Sequence, residues 1–283
     1  MKRCPTCGVG VTRPRPSDDE LAAAYGTAYR PADGRFVGVT DALLRRTRGA
    51  LAGRIDAIAP PGRVLDIGAG DGTLLAALRA KGREAVGLER AASEAGHAGA
   101  AASGDGVMQA DVGDLDGGWA AIVLWHSLEH LPDPARVLAA AAERLAPGGV
   151  LIVAVPNLDS LQARAFGDRW LALDLPRHLV HLPARKLIER LESLSLHVER
   201  VSHWRGGQVA FGWLHGLVAA LPGHRDLYDA LRLPEARLSS QSPGERRAAL
   251  ALGALCAPVA LAGAAVEIAV RHGGSVHVEA RRS

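Results

Sequence analysis

The stretch VLDIGAGDG at residues 64–72 indicates the fold class, because an apolar run passes directly into a glycine-rich turn. TLLAALRA follows with the spacing of a helix, and REAVGLER at 83–90 supplies a second apolar run. Strand, glycine turn, helix and strand in this order open a parallel nucleotide-binding sheet. The sequence therefore predicts an α/β fold in which residues 66–72 form the first ligand-facing loop.

The alternation of strands and helices continues beyond this unit. Asp133-Pro134 predicts a helix start, with an N-cap followed by proline at the first helical position. The later elements predicted are strands at 107–110, 120–125, 150–157, 196–204 and 275–282, and a helix at 184–195. We predict an N-terminal Cys-x-x-Cys and lid segment at 1–40, an α/β core at 41–206, a helical insertion at 207–274 and a final core strand at 275–283.

Composition narrows the class of protein. The 283 residues are 48% hydrophobic and carry a formal charge of +3 without a basic run, so the sequence predicts a globular protein with no nucleic-acid partner. Three cysteines do not make a disulfide framework, and MKRCPT lacks the apolar stretch of a signal peptide. These features predict a cytoplasmic location.

Two acidic residues stand where successive strands end. Glu89 closes the second strand, where a carboxylate can accept both hydroxyls of a ribose, and Asp111 follows the third strand. Together with the glycine loop they predict a ligand crevice. Thr73 stands where the nicotinamide fingerprint has its third glycine, so a nicotinamide-dependent Rossmann enzyme is the less favoured alternative.

The stretch WHSLEHLPDP at 125–134 suggests a metal site. His126, Glu129 and His130 have the spacing of one helical face and the order found in inverted zincins. A metallohydrolase is therefore an alternative, although further ligands are lacking.

In their order, the motifs VLDIGAGDG, VGLER, QADV, LEHLPDP and LAPGGVLIVAVPN resemble those of class I S-adenosylmethionine-dependent methyltransferases. The resemblance implies a Rossmann-like seven-stranded sheet whose last strand is antiparallel. It implies S-adenosyl-L-methionine as cofactor and S-adenosyl-L-homocysteine as product. The cofactor-binding residues it implies are Asp66, Gly68, Gly70, Gly72, Glu89, Arg90, Asp111, Val112, Trp125 and His126.

The flanks resemble a bacterial subgroup related to the ubiquinone-biosynthesis methyltransferases and to enzymes of polysaccharide and natural-product pathways. The matching stretches are CPTCGVGVTRPRP and LDLPRHLVHLP. Members often have two Cys-x-x-Cys pairs, whereas this chain has only Cys4 and Cys7, and Cys256 is distant in sequence. We therefore predict a vestigial turn there. A divalent metal at 126–130 is also not favoured, because His126 replaces the first glutamate of the ubiquinone-type motif.

An oxygen acceptor that must lose a proton benefits from a nearby histidine. We predict His178 as the general base, assisted by Asp174 or His126, while backbone hydrogen bonding by these histidines is the alternative. The acceptor-binding residues predicted are Arg177, His181, Trp170 and Tyr29. Tyr25 and Tyr29 either close over the cofactor or pack the N-terminal segment.

Residues 248–266 form a run without charged side chains, built largely of alanine and glycine and interrupted by Pro258. We predict a buried or interfacial helix hairpin. Membrane-surface contact through 248–270 and a homodimer are alternatives.

The predicted function is methylation of a small-molecule acceptor, with O-methylation of a sugar, phenol or natural-product hydroxyl favoured. LPDP after the fourth strand, rather than Asn/Asp-Pro-Pro-Tyr, argues against amino methylation of nucleic-acid bases. A non-catalytic methyltransferase-like partner protein is the alternative.

Overall fold

The computed structural model describes residues 1–25, 40–89, 107–109, 111–204, 207–223, 225–234, 237–239 and 241–283, with backbone only for 40–44 and 107–109. The chain divides into two compact units. The sheet unit contains residues 39–155, 185–201 and 277–283, and the helical unit contains 1–38, 156–184 and 202–276.

The larger sheet carries the nucleotide-binding topology. Its strands are β3 (Val64–Ile67), β4 (Ala85–Glu89), β5 (Val107–Gln109), β6 (Trp119–Trp125), β7 (Leu145–Pro156), β9 (Leu196–Ser202) and β10 (Ser275–Arg282). They lie in the order β5-β4-β3-β6-β7-β10-β9, and the pairs β5-β4, β4-β3, β3-β6 and β6-β7 are parallel. The predicted α/β fold is thus confirmed, while the antiparallel direction of the last strand stays a prediction.

The helices of the sheet unit are α2 (Thr40–Ile58), α3 (Thr73–Arg79), α4 (Pro134–Arg144) and α6 (Ala184–Ser193). As predicted, Asp133 caps α4 by accepting from the Arg136 amide, and Pro134 occupies the first turn. One apolar cluster joins α2 and α3 to the central strands, with Ile55, Leu78 and Val123 at 0% exposure. Parallel strands are covered on both faces, which is why β6 is apolar along its length.

The helical unit contains a small antiparallel sheet of β1 (Lys2–Arg3), β2 (Gly10–Val11) and β8 (Val180–His181). Its helices are α1 (Asp18–Ala24), α5 (Leu161–Phe166), α7 (Gly207–Ala220), α8 (Leu227–Ala230) and α9 (Pro243–Ala269). Phe166 and Trp170 form an apolar cluster against Trp213 of α7. Residues 156–184, predicted within the core, therefore belong to the helical unit, because β8 pairs with β2 and α5 packs near α7.

The apolar run forms one continuous helix, so the predicted hairpin is wrong. α9 spans 27 residues and passes through Pro258. By length and composition it could cross a membrane, with a mean hydropathy of 2.1, and only 22% of its most apolar window is buried. Small residues give the helix one close-packed side: a Cβ at Gly263 would lie 2.7 Å from the indole of Trp213.

Candidate functional site

The carboxyl ends of β3 and β6 lie side by side at the switch point of the larger sheet. From β3 the chain runs outward to β4 and β5, and then returns to β6 on the other side of β3. Ligands of open α/β sheets bind at such a point. The loops that follow the two strands are in contact here, since Ser127 Oγ donates to the Ile67 carbonyl at 2.5 Å.

Gly68 is required by the packing of these two loops. Its φ is +81°, and a Cβ added to it would lie 2.4 Å from the Cβ of Ser127. Real Cβ atoms do not approach so closely, so a side chain at position 68 would push the loops apart. The structure therefore explains this glycine by a contact within the protein, and its predicted role in cofactor binding stays a prediction.

The rest of the glycine loop is held against the end of β4. Gly70 and Gly72 have φ values of 63° and 71°, in the left-handed region that glycine adopts readily. The Gly70 amide donates to Glu89 Oε1 at 2.5 Å. Two groups of predicted cofactor residues, the loop and the strand-end carboxylate, are thus brought together.

Asp66 is a buried carboxyl beneath this loop, with 4% exposure. Burial raises its pKa to about 7, and the nearby charges of Glu89 and Asp71 act in the same direction, while Arg48 opposes them. Strongly perturbed carboxyls concentrate at functional sites. Asp66 is therefore a candidate site residue whose ionisation is set by its surroundings, and its predicted role in cofactor binding stays a prediction.

Arg48 is a site residue that the sequence analysis missed. It lies on α2, and its guanidinium is 5.9 Å from the ring centre of Trp125 at the end of β6. Its charge also lowers the pKa of Asp66 in β3. A guanidinium here can bind a carboxylate through two parallel hydrogen bonds. Helix α2 contains several arginines, and no spacing distinguishes this one.

The residues after β6 form a compact turn. His126 has a φ of 55°, and Leu128–His130 form a short 3-10 helix, so His126, Glu129 and His130 do not share one α-helical face as their spacing suggested. His126 Nδ1 lies 3.2 Å from Glu129 Oε1. The carboxylate can only accept, so it orients the His126 ring by accepting its Nδ1–H. Trp125 meets the His277 ring edge-on at 5.1 Å.

Asp111 begins a 3-10 helix, Val112–Asp114, and accepts from the Gly113 amide at 2.8 Å. Arg136 donates to both of its oxygens, at 2.5 and 3.2 Å, which holds the pKa of Asp111 below its usual range. The side chain of Val112 is buried. A ligand group that donates to the Asp111 carboxylate would therefore share it with Arg136, and the predicted cofactor-binding roles of Asp111 and Val112 stay predictions.

Comparison with known proteins now identifies the family. A family model described as a methyltransferase domain matches residues 41–201, more than half of the chain. The chain belongs to this methyltransferase family. No significant match is found among curated protein sequences.

Several solved structures have a fold similar to that of this methyltransferase. An S-adenosylmethionine-dependent methyltransferase from Archaeoglobus fulgidus has a TM-score of 0.51 at 16% identity, covering 84% of this chain and 94% of the other. The (4+2)-cyclase SpnF has a TM-score of 0.50 at 18% identity and 98% coverage of each chain. At these identities the likeness shows a shared fold only, which is that of S-adenosylmethionine-dependent methyltransferases.

The helical unit of the methyltransferase contains the predicted base. His178 is buried, and its Nδ1 lies 2.9 Å from the Ala172 carbonyl. Since a carbonyl can only accept, Nδ1 carries the proton, and the neutral ring keeps its lone pair on Nε2. Asp174 Oδ2 lies 3.6 Å from that Nε2, too far for a hydrogen bond and close enough to stabilise a positive ring. The arrangement is that of a base beside a carboxylate.

Arg177 orients this carboxylate. Its Nε donates to Asp174 Oδ2 at 3.1 Å, its Nη2 pairs with Oδ1, and its Nη1 donates to the Ala24 carbonyl at 3.1 Å. Asp174 has a φ of 39°, which few residues other than glycine adopt. These contacts give Arg177 a positioning role, and its predicted contact with an acceptor stays a prediction.

His181 and Trp170 are held by contacts within the protein. His181 Nε2 lies 3.1 Å from Thr12 Oγ1, and burial lowers the pKa of His181 to about 4. Trp170 has 4% exposure within the apolar cluster of α5 and α7. Both side chains are explained by packing without a ligand, so their acceptor-binding roles remain predictions.

Tyr29, predicted to bind the acceptor, and Arg90, predicted to bind the cofactor, lie outside the described residues.

Cys4 and Cys7 flank a tight turn. The Cys4 amide donates to the Val9 carbonyl at 2.8 Å, and the Gly8 amide donates to the Cys4 carbonyl at 2.9 Å. Hydrogen bonds from Cys7 lower the pKa of the partly exposed Cys4 thiol. Neither Cys4 nor Cys7 forms a disulfide, and nor does Cys256 in α9. Tyr25 ends α1 as its C-cap.

Proposed function

We propose that the protein transfers a methyl group from S-adenosylmethionine to a hydroxyl of a sugar, phenol or natural-product scaffold, with S-adenosyl-L-homocysteine as product. The observation that carries this proposal is the contact between Glu89 and the Gly70 amide at the switch point of the sheet. It holds a carboxylate, which offers only acceptors, beside a loop whose glycines carry no side chains.

The chemistry of the site fits this donor. The Glu89 carboxylate would accept from the two ribose hydroxyls, and the Arg48 guanidinium would bind the carboxylate of the methionine part. Asp66 and residues 68–72 would line that part, while Trp125 and His126 would line the sulfonium side. The donor has a carboxylate and two ribose hydroxyls. Arg48 and Glu89 would supply the cation and the acceptor that these groups require.

The donor supplies an electrophilic methyl group on a positively charged sulfur. An acceptor oxygen attacks the methyl carbon in line with the carbon–sulfur bond, and S-adenosyl-L-homocysteine leaves. The chain then has to remove the proton of that oxygen. His178 would take it on Nε2, because Nδ1–H is held by the Ala172 carbonyl, and Asp174 would stabilise the resulting imidazolium. His126 is the second candidate base, with Glu129 in the corresponding supporting position.

We also assign the chain to the subgroup related to the ubiquinone-biosynthesis and natural-product methyltransferases. The support is the single Cys-x-x-Cys turn and the stretch LDLPRHLVHLP, in which Asp174, Arg177 and His178 are in contact. A role in small-molecule biosynthesis, a cytoplasmic location and a homodimer stay predictions.

Calorimetry with S-adenosylmethionine and with S-adenosyl-L-homocysteine tests donor binding. We expect Glu89→Gln to weaken both by about tenfold or more, because hydrogen bonds to a charged acceptor contribute about 1.5–3 kcal/mol. The matched control is Glu84→Gln, an exposed glutamate just before the same strand. A wild-type protein that binds neither compound, or a Glu89→Gln variant that binds like wild type, would contradict the proposal.

Product formation tests the chemistry separately. S-adenosyl-L-homocysteine is measured with a panel of sugars, phenols and natural-product alcohols. Tight donor binding without transfer to any of them would favour a non-catalytic partner protein, whereas binding of a nicotinamide dinucleotide in place of the donor would favour the oxidoreductase alternative.

A further inference from the structure

Helix α9 exposes a long apolar face that no part of the described chain covers. Its buried positions, Ala249, Gly253, Ala260, Ala264 and Glu267, form one seam of mostly small residues. The other side carries large apolar side chains with exposures of 76% for Leu255, 60% for Val259, 62% for Leu261 and 54% for Val266. From Leu250 to Val266 this face extends about 24 Å, at about 1.5 Å per residue. Exposed apolar areas of this size mark interaction surfaces.

The amino-terminal end of the same helix borders a cationic cavity. The cavity has a volume of about 450 Å³, and its lining residues are Ala230, Arg237, Pro243, Arg246, Arg247 and Leu250. All the charged residues in this lining are arginines. Glu245, the nearest acidic neighbour of Arg246 and Arg247 in sequence, already accepts from the Ser242 amide at 2.7 Å in the helix cap.

Two guanidinium nitrogens of the residues that line this cavity have no acceptor within the part of the chain that the structure describes. The Nε atoms of Arg237 and Arg246 are buried and form no hydrogen bond with any described residue. A buried donor without an acceptor is costly, so a ligand oxygen here would stabilise the arrangement. Guanidinium groups bind phosphate oxygens with matching geometry, which makes a phosphate group the ligand that suits this site best.

We propose that this arginine-lined cavity binds the phosphate of an anionic phospholipid headgroup, and that the exposed apolar face of α9 lies in the membrane surface. Both the charge and the polarity of this helix are complementary to a membrane surface. The arginines at one end would bind phosphates, and the apolar face would contact acyl chains. The helix does not leave the protein to do so, because Glu267 in its seam accepts from Trp213 Nε1 at 2.8 Å and from Gln162 Nε2 at 2.6 Å.

Vesicle flotation of the full-length protein tests the proposal. Vesicles of phosphatidylcholine alone are compared with vesicles that also contain phosphatidylglycerol. We expect flotation with the anionic vesicles, weakened by salt, and about a fivefold loss of affinity for each arginine removed in Arg246→Gln and Arg247→Gln. Leu255→Gln should weaken binding by about tenfold, because one exposed leucine no longer enters the apolar layer.

Matched controls separate these effects from general charge or folding. Arg45→Gln with Arg46→Gln removes an adjacent exposed arginine pair from α2, and Val201→Gln changes an exposed apolar residue of β9. Both should float like wild type. Circular dichroism and thermal unfolding verify that all variants fold.

Three outcomes would overturn the proposal. Wild-type protein that floats with neither vesicle refutes membrane binding. Stabilisation by inorganic phosphate that is lost in Arg246→Gln, without flotation, assigns the cavity to a soluble anion. A dimer by light scattering that Leu255→Gln dissociates, again without flotation, assigns the apolar face to a second copy of this chain.

Discussion

Gly68→Ala tests how the glycine loop is built. The added Cβ would lie 2.4 Å from Ser127 Cβ and 3.1 Å from Ser127 Oγ, and the backbone φ is +81°. A left-handed backbone costs a residue with a side chain about 1–2 kcal/mol. Overpacking a closely packed site costs about 1–3 kcal/mol more. We therefore expect the free energy of unfolding to fall by about 3 kcal/mol.

Gly82→Ala is the matched control for the backbone contribution. Gly82 has a φ of +79°, and an added Cβ would meet nothing within 4 Å. This variant should lose about 1–2 kcal/mol from strain alone. The excess cost of Gly68→Ala over Gly82→Ala, about 1–3 kcal/mol, then measures the clash with Ser127.

Ser127→Gly provides the second control. It removes the two atoms that the new Cβ would strike and leaves the Cα of residue 127 at 3.7 Å, an ordinary contact. The single variant should itself lose about 1 kcal/mol, because the 2.5 Å hydrogen bond from Ser127 Oγ to the Ile67 carbonyl disappears. In this background Gly68→Ala should cost no more than Gly82→Ala.

The assay is urea unfolding of the four variants followed by circular dichroism, with wild type as reference. Two results would refute the packing argument. One is a Gly68→Ala variant no less stable than Gly82→Ala, and the other is a cost at position 68 that Ser127→Gly leaves unchanged.

Three further predictions follow from buried polar groups. Asp66 favours its protonated form in the folded protein, so wild type should lose up to about 4 kcal/mol of unfolding free energy as pH rises from about 4 to 7; Asp66→Asn should lack this slope in urea titrations at several pH values. With any acceptor that supports turnover, His178→Gln should lower kcat about a hundredfold and remove the acidic limb of the pH profile, while Asp174→Asn should keep that limb. Glu267→Gln should destabilise the protein by about 1–3 kcal/mol in thermal unfolding, because both carboxylate oxygens accept hydrogen bonds from Gln162 or Trp213 and the amide keeps only one oxygen.

The parts of the fold that the sequence predicted are those encoded by neighbouring residues. The strand, glycine turn and helix at 64–79 follow from local hydrophobic and glycine spacing. The start of α4 follows from Asp133-Pro134, where the cap and the proline act within one turn. Glu89 could be placed at the site because parallel strands end at the same edge of a sheet.

The parts that it missed depend on contacts between distant residues. Arg48 reaches the site from α2, and only the folded chain brings it over Trp125. The assignment of 156–184 to the helical unit depends on the pairing of β8 with β2 across about half the chain. The single helix α9 was mistaken for a hairpin because Pro258 in the sequence suggested a break, whereas the helix continues through this residue.

The glycine loop and the turn after β6 form one coupled structure, and this bears on catalysis. Ser127 is held by its bond to the Ile67 carbonyl and packs against Gly68, so its position depends on the loop that would contact the donor. His126, the preceding residue, has a left-handed φ of 55° and is oriented by Glu129. A shift of the glycine loop therefore moves Ser127, and the His126 ring with it. Donor binding would thereby affect the orientation of a candidate base through the loop, in addition to the direct contact proposed for His126.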